Sequence, residues 1–419
     1  MRIITVNRNY FVTGGPEKYF FSLRDYLPDV EFIPFCVRFS QNKETGYSKY
    51  FVDPPGGQDN VYFKDFKMSA TQKLAYAAKS IYSLEAKHNL EALINDTKPD
   101  VAFFLNAVYF TDSIIDACKN NNIPIVWRLS DYNKICANYL MLRDGQVCDD
   151  CIDKGIKEGV RNRCGGYQRS MSAALVKYAS MQLSRIRNLY EHVNYFVTPS
   201  AFMREKMIQG GFPAEKLVHI PTFANIPEMD IKPLPKVPNI LYVGRLSAEK
   251  GVETLLDSFA LIRDKEATLS IIGDCSSEYA QALIDSVPDT LKSRVNFHGF
   301  VAMDEVAKFY DECSFFVLPS LCYENLPNVI LEGMSHGRPA LVSRLGSMIE
   351  TVIDGKTGYH FEAGNAQDLA VKIDSLLANY DGLKDIGKMA KEYVLETHNP
   401  EKHVVKIRSL FDECASIQK

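Results

Sequence analysis

Short apolar runs separated by polar helical patterns recur along the whole chain. Arg2 to Val6 is β-branched and predicts a first strand. Val30 to Val37, Val101 to Leu105, Ile123 to Leu129, Asn194 to Thr198 and Leu217 to Ile220 predict five more. Helical spacing lies between them: Tyr19, Phe20, Leu23 and Leu27 mark one face, 70–97 predicts one or two helices, and 109–122 another. Ser200 reads as an N-cap for a helix over 201–209, which Gly210-Gly211 ends. The polar stretch 41–65 predicts a surface loop with one hairpin. Five prolines between Pro221 and Pro238 exclude regular structure and predict a linker.

The alternation then restarts. Strands are predicted at 240–243, 268–272, 295–297 and 315–318, and another begins at Leu341-Val342. Helices are predicted from Val252, from Glu305, over 328–335, and from Ala366 and Leu383. Gly355 to Phe361 reads as a hairpin-like return. Alternating strands and helices of this kind predict two doubly wound α/β domains. The 419 residues suffice for two domains of ordinary size.

Composition changes this picture little. Hydrophobic content of 46% and charged content of 24% are those of a soluble globular chain. A formal charge of −4 removes any global basic signal, so no nucleic-acid partner is expected. No apolar run is long enough to cross a bilayer, and MRIITVNRNYFVTGG is too short in its apolar part for a signal peptide. A cytoplasmic location follows, with the ten cysteines as reduced thiols or metal ligands.

Candidate chemistry gathers at predicted strand ends. After the strand at 315–318, a loop carries Glu324 and the next helix carries Glu332. Gly244-Arg245-Leu246-Ser247-Ala248-Glu249-Lys250-Gly251 lies between a strand and a helix, where free N–H groups and two cations make a phosphate cradle. Gly273-Asp274 ends another strand. Thr13-Gly14-Gly15-Pro16-Glu17 follows the first strand and lets backbone approach a ligand. Arg128-Leu129-Ser130-Asp131 ends the strand at 123–129, where Asp131 is either an acceptor or donor contact or a helix cap. Cys136, Cys148, Cys151 and Cys164 have spacing that suits one tetrahedral zinc, the alternative being scattered structural thiols. Eight Lys and Arg residues between Lys154 and Arg187 oppose Glu158 alone, and Met171, Leu175, Tyr178 and Leu183 suggest an amphipathic helix among them. That helix either rests on anionic lipid or packs on the sheet.

Glu324 and Glu332 eight apart, then Gly337-x-Pro339 and Glu350, together with Gly244-Arg245-Leu246 and Lys250-Gly251, resemble the donor-site signature of retaining glycosyltransferases of family 4. The cysteine core RDGQVCDDC resembles an insertion of some members. The resemblance implies a GT-B fold, two Rossmann-like domains facing across a cleft. The first would be 1–225, with the cysteine insertion at 133–167 and completion by a C-terminal helix at 400–419. The second, over 226–399, would bind a nucleotide sugar.

The resemblance also implies transfer of a sugar, with retention, from a UDP- or GDP-linked donor to a hydroxyl of a glycan or lipid-linked acceptor in surface polysaccharide synthesis. Glu324, Arg245, Lys250 and Asp131 are the candidate catalytic residues. Gly14, Gly15, Gly244, Gly273, Phe300, Val301, Asn325, Leu326, Asn328 and Glu332 join Arg245, Lys250 and Glu324 in donor binding. A structural zinc and no catalytic metal are expected. Peripheral contact with the inner face of the plasma membrane stays open. Ser130 stands where many family members have histidine, so a role for imidazole does not carry over. A non-catalytic nucleotide-sugar-binding relative, or an assembly subunit, is the alternative.

Overall fold

The structure is a computed structural model, and it describes residues 1–54, 69–165, 170–224 and 230–417. The chain divides into two compact units: 1–139 with 149–220 and 401–419, and 140–148 with 221–400.

In the first part of the chain the elements run β1 (Arg2–Val6), α1 (Gly15–Asp25), β2 (Glu31–Phe35), α2 (Ala70–Ile81), α3 (Leu84–Thr97), β3 (Val101–Phe104), α4 (Ser113–Asn120) and β4 (Ile125–Arg128). A two-stranded hairpin follows, β5 (Leu142–Arg143) and β6 (Gln146–Val147). Then come the short helices α5 (Asp150–Asp153) and α6 (Lys157–Arg161), the long α7 (Met171–Ile186), β7 (Tyr195–Thr198), α8 (Ala201–Gln209) and β8 (Leu217–His219). Six of these strands form one parallel sheet in the order β2-β1-β3-β4-β7-β8.

The second sheet is also parallel. Its elements are β9 (Asn239–Val243), α9 (Val252–Leu261), β10 (Thr268–Ile272), α10 (Glu278–Asp285), β11 (Val295–Gly299), α11 (Met303–Glu312), β12 (Phe315–Leu318), α12 (Asn328–Ser335), β13 (Ala340–Ser343), α13 (Ser347–Thr351) and β14 (Gly358–Phe361). α14 (Ala366–Ala378) and α15 (Leu383–Thr397) follow, and α16 (Pro400–Ile417) belongs to the first unit. The strand order is β11-β10-β9-β12-β13-β14. The stretch 355–361 is therefore not a hairpin: β14 is a sixth parallel strand, paired with β13 from Ala340–Gly358 to Ser343–Phe361.

The apolar runs form strands because both faces of each sheet are covered. In the second unit Ile240, Tyr242, Phe315 and Val317 face one core, with Leu255, Phe259 and Ile373. Their alternates, Leu241, Phe316 and Leu318, face another with Ile330, Met334 and Val394. In the first unit Phe103 meets Phe411 of α16 edge-on at 5.1 Å, while its neighbour Phe104 meets Trp127 at 5.2 Å. The period of two along β3 thus sends consecutive rings to opposite sides. The loop expected over 41–65 holds one helical turn at Ser48–Tyr50 and a bridge from Val37 to Val52, and its remainder, from 55 on, lies outside the described residues. Over 221–224 and 230–238 there is no helix or strand, as proline content demands.

Candidate functional site

In open parallel sheets, ligands collect outside the carboxyl ends of strands where the strand order reverses. In the second unit that point lies between β9 and β12: the chain winds from β9 through β10 to β11 on one side, then returns to β12 on the other. Gly244 to Lys250 follows β9, and Ser320 to Glu324 follows β12.

The two loops are pressed together by glycine. Gly251 has φ +67°, in the left-handed region, and a Cβ there would stand 2.0 Å from the carbonyl oxygen of Pro319. Leu321 N donates to Glu249 O at 2.9 Å, a backbone bond that joins the loops directly. This closeness brings Lys250 Nζ to 2.5 Å from Glu324 Oε1, which also accepts from Ser320 Oγ at 2.6 Å. Ser347 Oγ donates to Glu324 O at 2.8 Å and fixes the backbone of the same residue.

Burial opposes charge on both members of the pair. The Lys250 ammonium nonetheless holds Glu324 below its ordinary carboxylate range, and Glu324 holds Lys250 above its usual value. Both are therefore ionised at neutral pH. Arg245 stands apart: its side chain is 67% exposed, against 17% for Lys250, and it pairs with Glu249 at 3.1 Å. A half-buried cation and an exposed one thus flank the same turn.

The helices that begin here lack side-chain caps. α9 starts at Gly251 and α12 at Pro327, neither of which satisfies the first-turn N–H groups with a side chain. In the same unit α11, α13 and α15 also lack a side-chain cap, while α10 and α14 are capped by Ser277 and Asn365. Uncapped first-turn N–H groups are the donors a phosphate takes. Glu332 lies one turn into α12, its Oε2 3.4 Å from Tyr310 OH. Gly273 is packed so closely that a Cβ would meet Gly244 O at 2.2 Å, so it joins two strand ends. Asn325, Leu326 and Asn328 are half-buried along the loop into α12. Val301 is packed partly against the core, whereas Phe300 is 81% exposed.

In the first unit the order reverses between β1 and β3. Asn7 follows β1 and Asn106 follows β3, and Asn106 N donates to Asn7 Oδ1 at 3.2 Å. Asn7 Nδ2 lies 3.4 Å from Glu17 Oε1, Thr13 Oγ1 donates to Glu17 Oε2 at 3.1 Å, and Asn9 Nδ2 donates to Thr13 Oγ1 at 2.8 Å. This relay holds the Gly14-Gly15 turn from beneath. Burial raises the Glu17 carboxyl above its ordinary range. Gly14 itself is extended, φ −170°, and uncapped at the start of α1.

Beside this turn a cavity of about 10 Å³ is lined by Asn106, Trp127, Ser130, Asp131, Asn133 and Lys134, among others. Among the described residues Asn106 Oδ1, Ser130 Oγ and Asn133 Oδ1 are buried with no hydrogen-bond partner. Buried polar atoms are normally paired, so three converging on one cavity mark a place for a hydroxyl or a water. Asp131 caps no helix. Its Oδ1 accepts from Asn133 N at 2.9 Å, and burial raises its carboxyl above the usual range. Behind it, buried Asp112 accepts from Lys134 Nζ at 2.5 Å, Ser184 Oγ at 2.6 Å and Tyr190 OH at 2.8 Å. Arg128 is buried, its guanidinium 4.0 Å from the centre of the Tyr19 ring. Asn7, Asn106, Asn133 and Ser320 escape sequence reasoning. Their only signal is position, each standing within a few residues of the end of a strand or candidate loop.

Cys136, Cys151 and Cys164 belong to the first unit and Cys148 to the second. Cys136 Sγ donates to Asn138 Oδ1 at 2.9 Å. Among the described residues no group of three or more His, Cys, Asp or Glu side chains forms a metal-holding set. No helix among the described residues is long and apolar enough to cross a membrane.

Residues 237–379 match the family described as Glycosyl transferases group 1. An uncharacterized glycosyltransferase of Methanocaldococcus jannaschii is 34% identical over 173 residues, 41% of this chain and 47% of the relative. The sulfoquinovosyl transferase SQD2 of Arabidopsis thaliana is 30% identical over 229 residues, 50% of this chain and 42% of the relative. The chain thus spans less than half the length of these curated relatives. Among solved structures, sucrose-phosphate synthase from Thermosynechococcus elongatus superposes with a TM-score of 0.71 at 17% identity, covering 99% of both chains. Anabaena HepE in complex with UDP and glucose superposes with a TM-score of 0.64 at 17% identity, covering 99% of this chain and all of that one. The fold is that of the GT-B glycosyltransferases, and its second unit carries the glycosyl transferases group 1 segment.

Proposed function

We propose that the protein is a retaining glycosyltransferase. It moves a sugar from a nucleotide-sugar donor to a hydroxyl of a glycan or lipid-linked acceptor, in polysaccharide or glycolipid synthesis. The observation that carries this reading is the Lys250–Glu324 pair at the reversal point of the second sheet, flanked by exposed Arg245 and two uncapped helix starts.

The chemistry needs negative charge stabilised on a leaving diphosphate. Lys250 is held in place for this by Glu324, and Arg245 is exposed enough to leave Glu249 and grip a phosphate in bidentate fashion. Glu332, near the start of α12, accepts from a ribose hydroxyl. Glu324, on the loop after β12, faces the hydroxyls of the transferred sugar. The bond from the anomeric carbon to the phosphate oxygen breaks. The acceptor oxygen bonds to the same face of that carbon, and its proton passes to the departing phosphate. UDP is the preferred nucleotide, supported by the UDP held in the HepE neighbour.

Thermal shifts against UDP, GDP and their sugar conjugates test this, since a ligand of the folded state stabilises by mass action. A uridine nucleotide should raise the melting temperature, and Glu332→Ala should abolish that rise while Glu324→Gln preserves it. No shift with any nucleotide would overturn the reading. A shift without transfer or donor hydrolysis would favour a binding protein.

A further inference from the structure

Three tyrosines of the first unit gather beside the cavity whose oxygens lack partners. On one wall Val108 is 49% exposed, and Tyr109 follows it. The loop carrying both is fastened to the end of α2: Ser83 N donates to Thr111 Oγ1 at 3.0 Å, and Ser113 Oγ donates to Ser83 O at 2.8 Å. α2 carries Tyr76. On the other wall lie Ser130, Asp131 and Asn133. From there two turns lead to Tyr139, closed by Cys136 N to Tyr132 O at 2.8 Å and by Tyr139 N to Cys136 O at 3.2 Å. Burial, opposed by Arg8 and reinforced by Tyr76 and Tyr139, pushes the Tyr109 hydroxyl up to about 12. Both of the other tyrosines therefore stand within electrostatic reach of it. The Arg8 guanidinium lies 5.7 Å from the centre of the Tyr109 ring.

Tyr139 is held at a backbone cost. Its φ is +56°, in the left-handed region, where a bulky side chain crowds its own backbone and glycine would not. The residue is 49% exposed, so little apolar burial offsets that cost. Strain of this kind gathers at ligand sites.

The cavity names the ligand. Among the described residues its unpartnered atoms are Asn106 Oδ1, Asn133 Oδ1 and Ser130 Oγ. Two of these are carbonyl oxygens, which need a donor. An ionised phosphate or carboxylate brings none, and neither does a hydrocarbon chain. A sugar hydroxyl does, and about 10 Å³ holds a single water-sized group. A pyranose also has a face of C–H bonds that lies flat on an aromatic ring, with hydroxyls around its edge.

We propose that Tyr76, Tyr109 and Tyr139 form an aromatic platform for a pyranose ring of the acceptor, one hydroxyl of which enters the adjoining cavity. The acceptor is then a glycan recognised by a sugar, whatever carries that sugar. The word acceptor rests on the proposed transfer reaction, whereas sugar binding at the platform does not.

Saturation-transfer NMR on the full chain tests it, with the methyl glycosides of glucose, galactose, mannose and N-acetylglucosamine as probes. At least one should bind, with the strongest saturation at its ring C–H protons. Tyr139→Ala should weaken that binding roughly tenfold, and Tyr139→Phe should keep it within about twofold. Tyr139→Gly relieves the backbone, so it should lose the sugar without any fall in melting temperature. The thermal shift given by a nucleotide should be the same in all three variants. Failure of every glycoside to bind would overturn the platform, as would parent-like binding in Tyr139→Ala. A lower melting temperature in Tyr139→Gly would make the ring a packing residue and overturn it too. Displacement of the glycoside by a nucleotide sugar, but not by the free nucleotide, would assign the platform to the donor instead and overturn the acceptor. Glycoside binding with no nucleotide shift would sink the transferase reading and leave the platform standing.

Discussion

The two sheets reverse their strand order at equivalent places, beside β1 and beside β9, and a turn containing glycine follows each. What they hold there differs in kind. The second unit presents ionised groups in direct contact, Lys250 with Glu324 and Arg245 with Glu249. The first presents amides and a hydroxyl, Asn7, Asn106, Ser130 and Asn133, three of them with a buried oxygen lacking a partner among the described residues. Lys134, which also lines the cavity, is paired with buried Asp112. A diphosphate demands positive charge fixed in a site that excludes water, and a cation can be kept buried there only beside a carboxylate. A sugar hydroxyl demands neutral donors and acceptors. Under the proposed function one topology would serve two chemistries, and the difference lies in the few side chains just past the strand ends.

The sharpest way to break the comparison is at Lys250. Lys250→Met should cost about 2–4 kcal/mol of transition-state stabilisation, read as kcat/KM. It should also cost about 3–5 kcal/mol of stability, because Glu324 is left charged and buried. The double variant Lys250→Met with Glu324→Gln should recover most of the stability, seen in urea melts, and none of the turnover. Recovery of both would make the pair structural only.

Gly251→Ala comes next. The left-handed φ and the 2.0 Å approach to Pro319 O leave no room for a methyl group. Parting the two loops should cost about 1–3 kcal/mol, within the range for strained backbone. Calorimetry should show it as weaker nucleotide binding. An equal affinity in the variant would mean that loop contact is not what builds the phosphate site.

How far this was legible from sequence follows the same divide. Gly244 to Gly251 and Glu324 to Glu332 stand out because both stretches resemble motifs of a known family, and the structure brings Lys250 and Glu324 together across 74 positions. The helices at 201–209, 328–335, 366 and 383 begin where a cap, proline or periodic pattern predicts, because local chemistry decides those ends. The first unit is less readable. Asparagine after a strand is common in any turn, and nothing local says that Asn106 and Asn133 will line one cavity with Ser130. The return at 355–361 looks like a hairpin because glycines punctuate it, whereas parallel pairing with β13 is decided by the sheet. Phe300 is read as a base-pocket candidate from resemblance alone, and in the structure it is 81% exposed.

A gentler test sits in the first unit. Asn106→Ala and Ser130→Ala remove side-chain atoms that have no partner among the described residues, so stability should change by less than about 0.5 kcal/mol. If the cavity receives an acceptor or sugar hydroxyl, each should still lower transfer roughly tenfold, the loss of one or two net hydrogen bonds. Affinity for the free nucleotide should not move. A fall in nucleotide affinity equal to that of Glu332→Ala would erase the distinction between the two sites.

The smallest effect concerns Lys177, on the inward side of α7 near Asp131 and Lys134. Burial, reinforced by repulsion from Lys134, lowers its pKa to about 8 from an ordinary 10.5. Below about pH 8 the folded chain carries this buried charge and bears the whole penalty. Between there and 10.5 the folded chain releases a proton that the unfolded chain retains, so this group's contribution to stability rises with pH across that window. Lys177→Met keeps the apolar stem and removes the charge. The variant should therefore be more stable than the parent near neutral pH, by at most about 1 kcal/mol after solvent screening. That advantage should shrink as the pH approaches the upper end of the window. Urea midpoints for both proteins at about pH 7 and about pH 9.5 measure it directly. A difference that does not change with pH would show that Lys177 keeps an ordinary pKa. The charge behind the Asp131 cavity would then be solvated, and the contrast between a neutral first site and an ionised second one would weaken accordingly.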